Sequence, residues 1–567
     1  MDRRIWHEHY DEGVPRALDY KDLTVPQMLQ RSAERFPDRT AVVFFNATLT
    51  YRQLQDAVDR LATALTKLGV EPGSRVAVHL PNLPQTVIAY YAILACGAQV
   101  VMTNPLYVAR EVESQWKDAG CRVAVTADFL YERVVQHVRD AVGVKHVLVA
   151  SVPEYLRFPL KQLAPFKLRR QDPPAIAPFP KGEGVYRFRA LIDSSDPAPP
   201  GPAIDPADVA VLQYTGGTTG VSKAAMLSHR NLVCNVQQCL AWMPFLKGAS
   251  EVFLGALPYF HIFGMTIAMN EPLAMGATLV LIPNPRDIEA LLAGIHKHRV
   301  TVFAAVPAML GAMVGHEAAG RMDLSSVKAV FSGSAPLPED TRRRFEEKTG
   351  ARIFEGFGMT ESSPATHANP VMGKRKTGTV GLPFPDTDCR IVDLVDGTKE
   401  LPVGQEGELA IRGPQVMLGY WNKPEETAVT LRDGWLHSGD LAVMDEEGYF
   451  RIVGRKKDMI LASGYNVFPD EIDNVLNDHP AVAESCTIGV PDEKRGETVR
   501  AFVVIEVGAK VTEGDLEVHC REFLAAYKVP RVFSFRDELP KSAMMKLLRR
   551  TLRDEVIEEQ DRRRSSS

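Results

Sequence analysis

Tyr214-Thr215-Gly216-Gly217-Thr218-Thr219-Gly220-Val221-Ser222-Lys223 sets three glycines, four aliphatic hydroxyls and one lysine within ten residues. The apolar run Val209-Ala210-Val211-Leu212 just upstream has the character of a buried strand that delivers this loop. Glycines let the backbone take positive φ and bring N–H groups close to a ligand. Hydroxyls and an ammonium at the same turn donate to phosphate oxygens. The stretch therefore reads as a phosphate-cradling loop. It is not a Walker A loop, which needs a contiguous Gly-Lys-Ser/Thr; two residues separate Gly220 from Lys223, and Ala224 follows the lysine.

Outward from the loop, helical and strand patterns alternate. Thr50 and Gln53 make a capping box before a helix over 54–68 that Gly69 stops. A strand over 75–79, a helix over 85–96, a strand over 100–102 and, after a further helix, a strand over 121–125 follow. The apolar stretch 265–283 reads as a buried helix and then a strand. This βαβ rhythm implies parallel sheets covered by helices on both faces. Residues 380–454 differ, with short apolar runs at 389–392 and 408–411 between Gly/Pro turns, the pattern of a small antiparallel β subdomain. After the charged run Arg455-Lys456-Lys457-Asp458 the pattern shifts again, to a helix over 469–476, a strand over 499–504 and a helix over 515–524. The expected division is a large domain over 1–454, a hinge at 455–457 and a small domain over 458–567. The tail 561–567 is expected to fray, and no internal repeat is present.

Bulk composition narrows the function classes. With 567 residues, 45% hydrophobic and 24% charged, the chain exceeds one typical domain and is neither disordered nor fibrous. A net charge of −5 gives no overall pull toward nucleic acid. Seven cysteines without a C-x-x-C pair suit a reducing cytoplasm and argue against a zinc site or a disulfide frame. The N-terminus Met1-Asp2-Arg3-Arg4-Ile5-Trp6-His7-Glu8 lacks the apolar segment of a secretory signal. No uninterrupted apolar stretch is long enough to span a bilayer. One region stands apart: from 156 to 189, eight Lys/Arg face only Asp172 and Glu183, with Leu, Phe and Tyr interleaved. Two readings stay open for it, a solvated surface excursion or a patch that meets the inner face of an anionic membrane.

Four further segments follow in order: Gly356-Phe357-Gly358-Met359-Thr360-Glu361, Ser438-Gly439-Asp440, Gly454-Arg455-Lys456-Lys457-Asp458, and Leu539-Pro540-Lys541 with Lys546. Together with the loop they resemble the adenylate-forming superfamily of acyl-CoA synthetases, luciferases and nonribosomal adenylation domains, from about residue 25 to about 555. The run from Asp433 through Lys457 is similar to the fatty-acyl-CoA synthetase signature. Asn104-Pro105-Leu106-Tyr107, Asn284-Pro285-Arg286-Asp287 and the run from Pro414 to Trp421 resemble bacterial long-chain fatty-acid:CoA ligases in particular.

The resemblance implies an α/β fold: a large N-terminal domain of two parallel-type αβαβα sheets with a small β-barrel-like subdomain, and a small mobile α+β C-terminal domain. It implies the nucleotide and metal sites as well. Thr215, Gly216, Gly217, Thr218, Thr219, Gly220 and Lys223 would hold the ATP phosphates, while Gly333, Ser334, Glu355, Gly356, Phe357 and Gly358 would line the adenine and acyl site. Phe357 stands where tyrosine is commoner and keeps the stacking face. Thr360 would contact the α-phosphate, and Glu361 with Thr215 would hold Mg²⁺, a hard ion that takes oxygen ligands. Asp440 and Arg455 would hold the ribose. His261, Phe263 and Gly264 would line an acyl and pantetheine tunnel. Lys546 would bridge carboxylate and phosphate, Lys457 would be the hinge, and the loop containing Gly464 would swing in for the second step. Two positions depart from the pattern, because Met545 and Ala224 stand where glycine is usual.

The implied activity converts a long-chain fatty acid, ATP and coenzyme A to acyl-CoA, AMP and pyrophosphate. Rivals are an acyl-AMP ligase serving a carrier protein, an aryl or medium-chain CoA ligase, and a non-catalytic acyl-nucleotide binder. The expected setting is cytoplasmic or peripheral on a membrane, with a homodimer left open.

Overall fold

The computed structural model describes residues 4–197, 201–215, 222–462, 465–492, 496–542 and 547–565. The capping box at Thr50 forms as expected: its side chain accepts from the Gln53 N–H and starts the helix Tyr51–Lys67, and Gly69 at φ 83° follows its end. The strands Arg75–His79, Gln99–Met102 and Val209–Thr215 and the helix Pro84–Ala95 lie where the periodicity places them. The strand expected over 121–125 instead spans Val123–Ala127. Gly120 at φ 68° ends the preceding helix, and the Cys121 N–H stays bonded to the Trp116 carbonyl, so the extended run starts late.

Among the described residues four sheets organise the chain. The first has nine strands in the order Leu382–Pro383, Ala365–Ala368, Arg352–Gly358, Ala329–Ser332, Val302–Ala305, Val252–Gly255, Thr278–Leu281, Thr40–Phe44, Ala47–Thr50. Its interior is parallel and both of its edges are antiparallel. The second has eight strands in the order Gly419–Tyr420, Lys223–Ser228, Val209–Thr215, Gln99–Met102, Arg75–His79, Val123–Ala127, His146–Ala150, Val185–Arg187. It is parallel except where Lys223–Ser228 turns back on Val209–Thr215 and Gly419–Tyr420 adds to it. One apolar core joins both sheets, drawing on Val42, Val78, Ile88, Val211, Leu254 and Val330. The helix Pro84–Ala95 lies inside that core, with every residue from Pro84 to Leu94 buried.

The other two sheets are smaller. Asp388–Val392, Gly407–Arg412, Trp435–Met444, Leu431–Arg432 and Phe450–Arg455 form a five-stranded antiparallel sheet. Strands from Ile460–Ala462 to Val532–Phe535 form the last one, covered by Pro469–Asn477, Glu513–Phe523 and Arg549–Ser565 around cores of their own. The architecture is thus the α/β type expected, with mixed rather than purely parallel large sheets. The tail departs from expectation, because the final helix runs to Ser565. Its Arg, Glu, Asp and Gln residues are good to fair helix formers, and Glu558 pairs with Arg562 one turn on. Among the described residues no helix is long and apolar enough to cross a membrane.

Candidate functional site

The phosphate-loop candidate is the connection of a hairpin. Thr215 pairs with Lys223 across the antiparallel strands, and the Ser222 hydroxyl donates to the Thr215 carbonyl at 2.5 Å. Gly216, Gly217, Thr218, Thr219 and Gly220 lie outside the described residues. Ala224 is buried in an ordinary strand position opposite Tyr214, and its carbonyl accepts from the Trp421 N–H. No glycine is needed there, so that departure is structurally neutral.

Tyr420 connects the loop to the acidic motif. Its hydroxyl donates to Glu361 Oε1 at 2.6 Å, and Lys223 Nζ stands 5.3 Å from the centre of its ring. The Met417 N–H bonds the Glu361 carbonyl, so the run 417–420 clasps Glu361 through backbone and side chain. Tyr420 lies within the run from Pro414 to Trp421, where residue type alone assigns it no role. Burial and the neighbouring Glu361 carboxylate push its hydroxyl well above the ordinary range, which keeps it a donor.

Arg352–Gly358 positions the next set. Gly356, Phe357 and Gly358 pair with Ala368, His367 and Ala365, and Phe357 meets the His367 ring edge-on at 5.9 Å. A Cβ on Gly356 would collide with the Phe331 ring and the His367 carbonyl, so this strand approaches as only glycine allows. Phe263 packs edge-on against Phe331 at 5.5 Å and lies against Gly333. Gly333 thus abuts the Phe263 ring and the Gly356 carbonyl, and Gly356 abuts the Phe331 ring. Glu355 faces elsewhere: its Oε1 accepts from the Leu337 N–H at 3.0 Å, bracing the turn through Gly333 and Ser334, and Ser334 takes φ 74°. Burial raises the Glu355 carboxyl above its ordinary value.

His261 caps the helix Ile262–Met265, with Nδ1 accepting from the Phe263 N–H at 3.2 Å. A Cβ on Gly264 would overlap the Pro258 carbonyl. Two residues that sequence reasoning missed hold this region. Asn82 donates to the Gly255 and Leu257 carbonyls and accepts from the Tyr259 N–H. Thr266 donates to the Ser363 carbonyl at 2.8 Å, tying the helix to the turn of Thr360 and Glu361.

The remaining candidates lie on the small antiparallel sheet. Asp440 is buried and pairs across strands with Arg455, whose Nε is 3.2 Å from Oδ1. Glu408, another missed residue, is buried behind them. It accepts from the Gly439 N–H at 3.1 Å and from Lys456 Nζ at 3.2 Å, with His437 3.6 Å away. Crowding by protein and the Arg455 charge push Lys457 down to about 8, although its side chain remains exposed; Asp458, Asp440 and Glu361 oppose that shift. Lys457 therefore lies within the field of both acidic candidates. Gly464, Met545 and Lys546 lie outside the described residues.

The described residues offer a hairpin end carrying Thr215 and Lys223, a clasped carboxylate, an aromatic strand edge and a buried Asp440 paired with a partly exposed Arg455, groups whose chemistry suits a nucleoside phosphate. Comparison with known proteins agrees. Residues 29–421 match the AMP-binding enzyme family and 471–546 the AMP-binding enzyme C-terminal domain. The chain is 43% identical to a long-chain-fatty-acid–CoA ligase of Bacillus subtilis (strain 168), over 98% of this chain and 99% of the relative. It is 38% identical to the Escherichia coli O6:H1 ligase of the same name, over 98% of each. Among solved structures, ATP-bound MatB from Rhodopseudomonas palustris superposes with TM-score 0.82 at 29% identity, covering 94% of this chain and 99% of MatB. A match of this extent leaves one conclusion: the chain belongs to the AMP-binding enzyme family of adenylate-forming ligases.

Proposed function

We propose that this chain is an ATP-dependent long-chain fatty-acid:CoA ligase. The observation that carries the reading is the near-complete overlap with long-chain-fatty-acid–CoA ligases, at 43% identity to that of Bacillus subtilis and 38% to that of Escherichia coli. A carboxylate is a poor acyl donor because oxide would have to leave. Its oxygen attacks the ATP α-phosphorus, pyrophosphate departs, and an acyl-adenylate forms. The coenzyme A sulfur then attacks the acyl carbonyl carbon, AMP leaves, and the thiol proton is lost to solvent. Phosphoryl transfer of this kind rests on positioning and charge stabilisation.

In this reading Thr215, the loop 216–220 and Lys223 hold the phosphates, Phe357 stacks on adenine between the Gly333–Ser334 and Gly356–Gly358 backbones, and Asp440 with Arg455 holds the ribose. Thr360 contacts the α-phosphate. The Glu361 carboxylate and the Thr215 hydroxyl, related through Tyr420 and Lys223, are hard oxygen donors of the kind that suits Mg²⁺ completed by phosphate oxygens. When bound, that ion would neutralise charge on the triphosphate. Met417 and Tyr420 keep the Glu361 carboxylate aimed. His261, Phe263 and Gly264 border the acyl and pantetheine path. Residues 1–454 form the fixed body, 455–457 the hinge and 458–567 a lid that carries Lys546 in for the first step and the Gly464 loop in for the second. Because its substrate partitions into lipid, the enzyme works at a membrane surface.

A second reading has one observation behind it: a feruloyl-CoA synthase of Amycolatopsis is 34% identical over 92% of this chain. Specificity constants across acetate, octanoate, palmitate, oleate and ferulate separate the two. They should rise from octanoate to palmitate, and preference for ferulate would reverse the assignment. In single turnover, Lys546→Ala should lose adenylation yet convert supplied acyl-adenylate, whereas Lys457→Pro should do the opposite. Equal loss of both steps in both folded variants rules out domain alternation.

A further inference from the structure

Large exposed apolar side chains are scattered over most of the surface, but one segment concentrates them. Phe158 is 79% exposed, Leu163 58% and Phe166 67%, with Leu160 beside them, all within nine residues. Leu160, Leu163 and Phe166 follow at helical spacing along the outer side of the helix Leu160–Arg169, which buries none of its residues. Its less exposed Ala164 packs against the protein core, so the outer stripe is held outward. The adjoining Arg157 is pinned to a second exposed element. Its N–H bonds Asn46 Oδ1 at 3.1 Å, Asn46 Nδ2 returns a bond to its carbonyl at 3.0 Å, and its guanidinium reaches Thr48. Asn46 follows Phe45, a turn residue at φ 52° and 51% exposed. A helix and a hairpin turn thus present aromatic and aliphatic side chains side by side.

Charge decides what this face fits. From 157 to 172 the chain carries Arg157, Lys161, Lys167, Arg169 and Arg170 against Asp172 alone, all of them exposed. The nearest salt bridges in sequence, Arg139–Asp140 and Arg189–Asp193, lie outside the stretch. An apolar stripe rimmed by cations matches a bilayer interface, where apolar groups enter the acyl boundary and cations meet anionic headgroups. It also contrasts with a chain whose net charge is −5.

We propose that the helix Leu160–Arg169 and the turn at Phe45 form a docking face for an anionic lipid bilayer. The proposal deepens the fatty-acid ligase reading and rests on it for its purpose, to place the enzyme where long-chain acids partition. Binding itself is measured without substrate. The full chain is sedimented with phosphatidylcholine vesicles, with and without phosphatidylglycerol, at low and high salt. The wild type should bind the anionic vesicles, less so at high salt. Reversal of Lys161, Lys167 and Arg170 to Glu should weaken binding on the order of a hundredfold or more. Leu163→Ser with Phe166→Ser should weaken it at both salts. Both variants should match wild type on detergent-dispersed palmitate and fall behind on vesicle-borne palmitate. Wild-type binding indifferent to phosphatidylglycerol, or variants that bind as wild type while remaining folded by circular dichroism, overturns the docking face. Failure to activate dispersed palmitate, with vesicle binding as expected, overturns the ligase reading and leaves the docking face standing.

Discussion

The two walls of the candidate site are built on opposite principles. One wall is apolar: Phe263, Phe331, Gly333 and Gly356 interlock where the nine-stranded sheet meets the helix after His261, with tolerances that a methyl group exceeds. The other is charged. Glu408 gathers Gly439, Lys456 and His437 behind the Asp440–Arg455 pair, and Tyr420 bridges Lys223 to Glu361. A packed wall fixes shape, because close-packed side chains have no slack. A wall of ion pairs fixes charge and can give way locally. The difference suits the proposed reaction, in which the apolar side would hold the adenine and acyl groups and the charged side the phosphates.

The sharpest way to test this contrast is Glu361→Ala on the charged side. Adenylation should fall roughly 10²–10³-fold, the scale of losing one preorganised stabilising group, while the melting temperature stays near wild type. Pyrophosphate release and circular dichroism read the two effects, and a collapse of both together would show that Glu361 is structural. On the apolar side Gly356→Ala should lower stability as well as activity. Overpacking against Phe331 and His367 should cost about 1–3 kcal/mol of stability, visible in denaturant unfolding. Unchanged stability would mean that the strand has room the close contacts deny.

The smallest effect concerns Glu271, which begins the helix Glu271–Ala274 on the apolar side. It is buried with no hydrogen-bond partner among the described residues for either carboxylate oxygen, and burial raises it from its ordinary 4.5 to about 8. Below pH 4.5 folded and unfolded states both carry the proton and no pH-dependent cost arises. Between 4.5 and about 8 the unfolded state loses a proton that the folded state keeps, so stability falls as pH rises and levels off above 8. Glu271→Gln should therefore gain on wild type by at least about 1 kcal/mol at alkaline pH and little in acid. A gain independent of pH would show that the carboxyl has a partner in solution.

Much of this was legible in the sequence. The capping box at Thr50, the strand ahead of Thr215 and the order of the acidic and basic motifs depend on neighbours a few residues apart, and local periodicity reports such neighbours directly. Misreadings came where a short-range rule met a competing one. The turn at Gly120 delayed a strand by retaining a helix-end bond, and helix-forming residues carried the last helix to Ser565. Ala224 looked like a defect beside a glycine pattern and proved to be a strand residue against Tyr214.

What the sequence by itself determined was the set of reactive groups and the rhythm that folds them into α/β sheets, since both are written in residue type and spacing. Only the tertiary structure decided how they are held. Tyr420 reaches Lys223 and Glu361, Asn82 braces Gly255 to Tyr259, and Glu408 supports Gly439 and Lys456. It also decided that Arg157 is bonded to Asn46, and that Glu271 has no hydrogen-bond partner among the described residues. These relations join residues tens to hundreds of positions apart. Burial and hydrogen bonding at such separations follow from which surfaces meet when the sheets pack, and no local pattern encodes that.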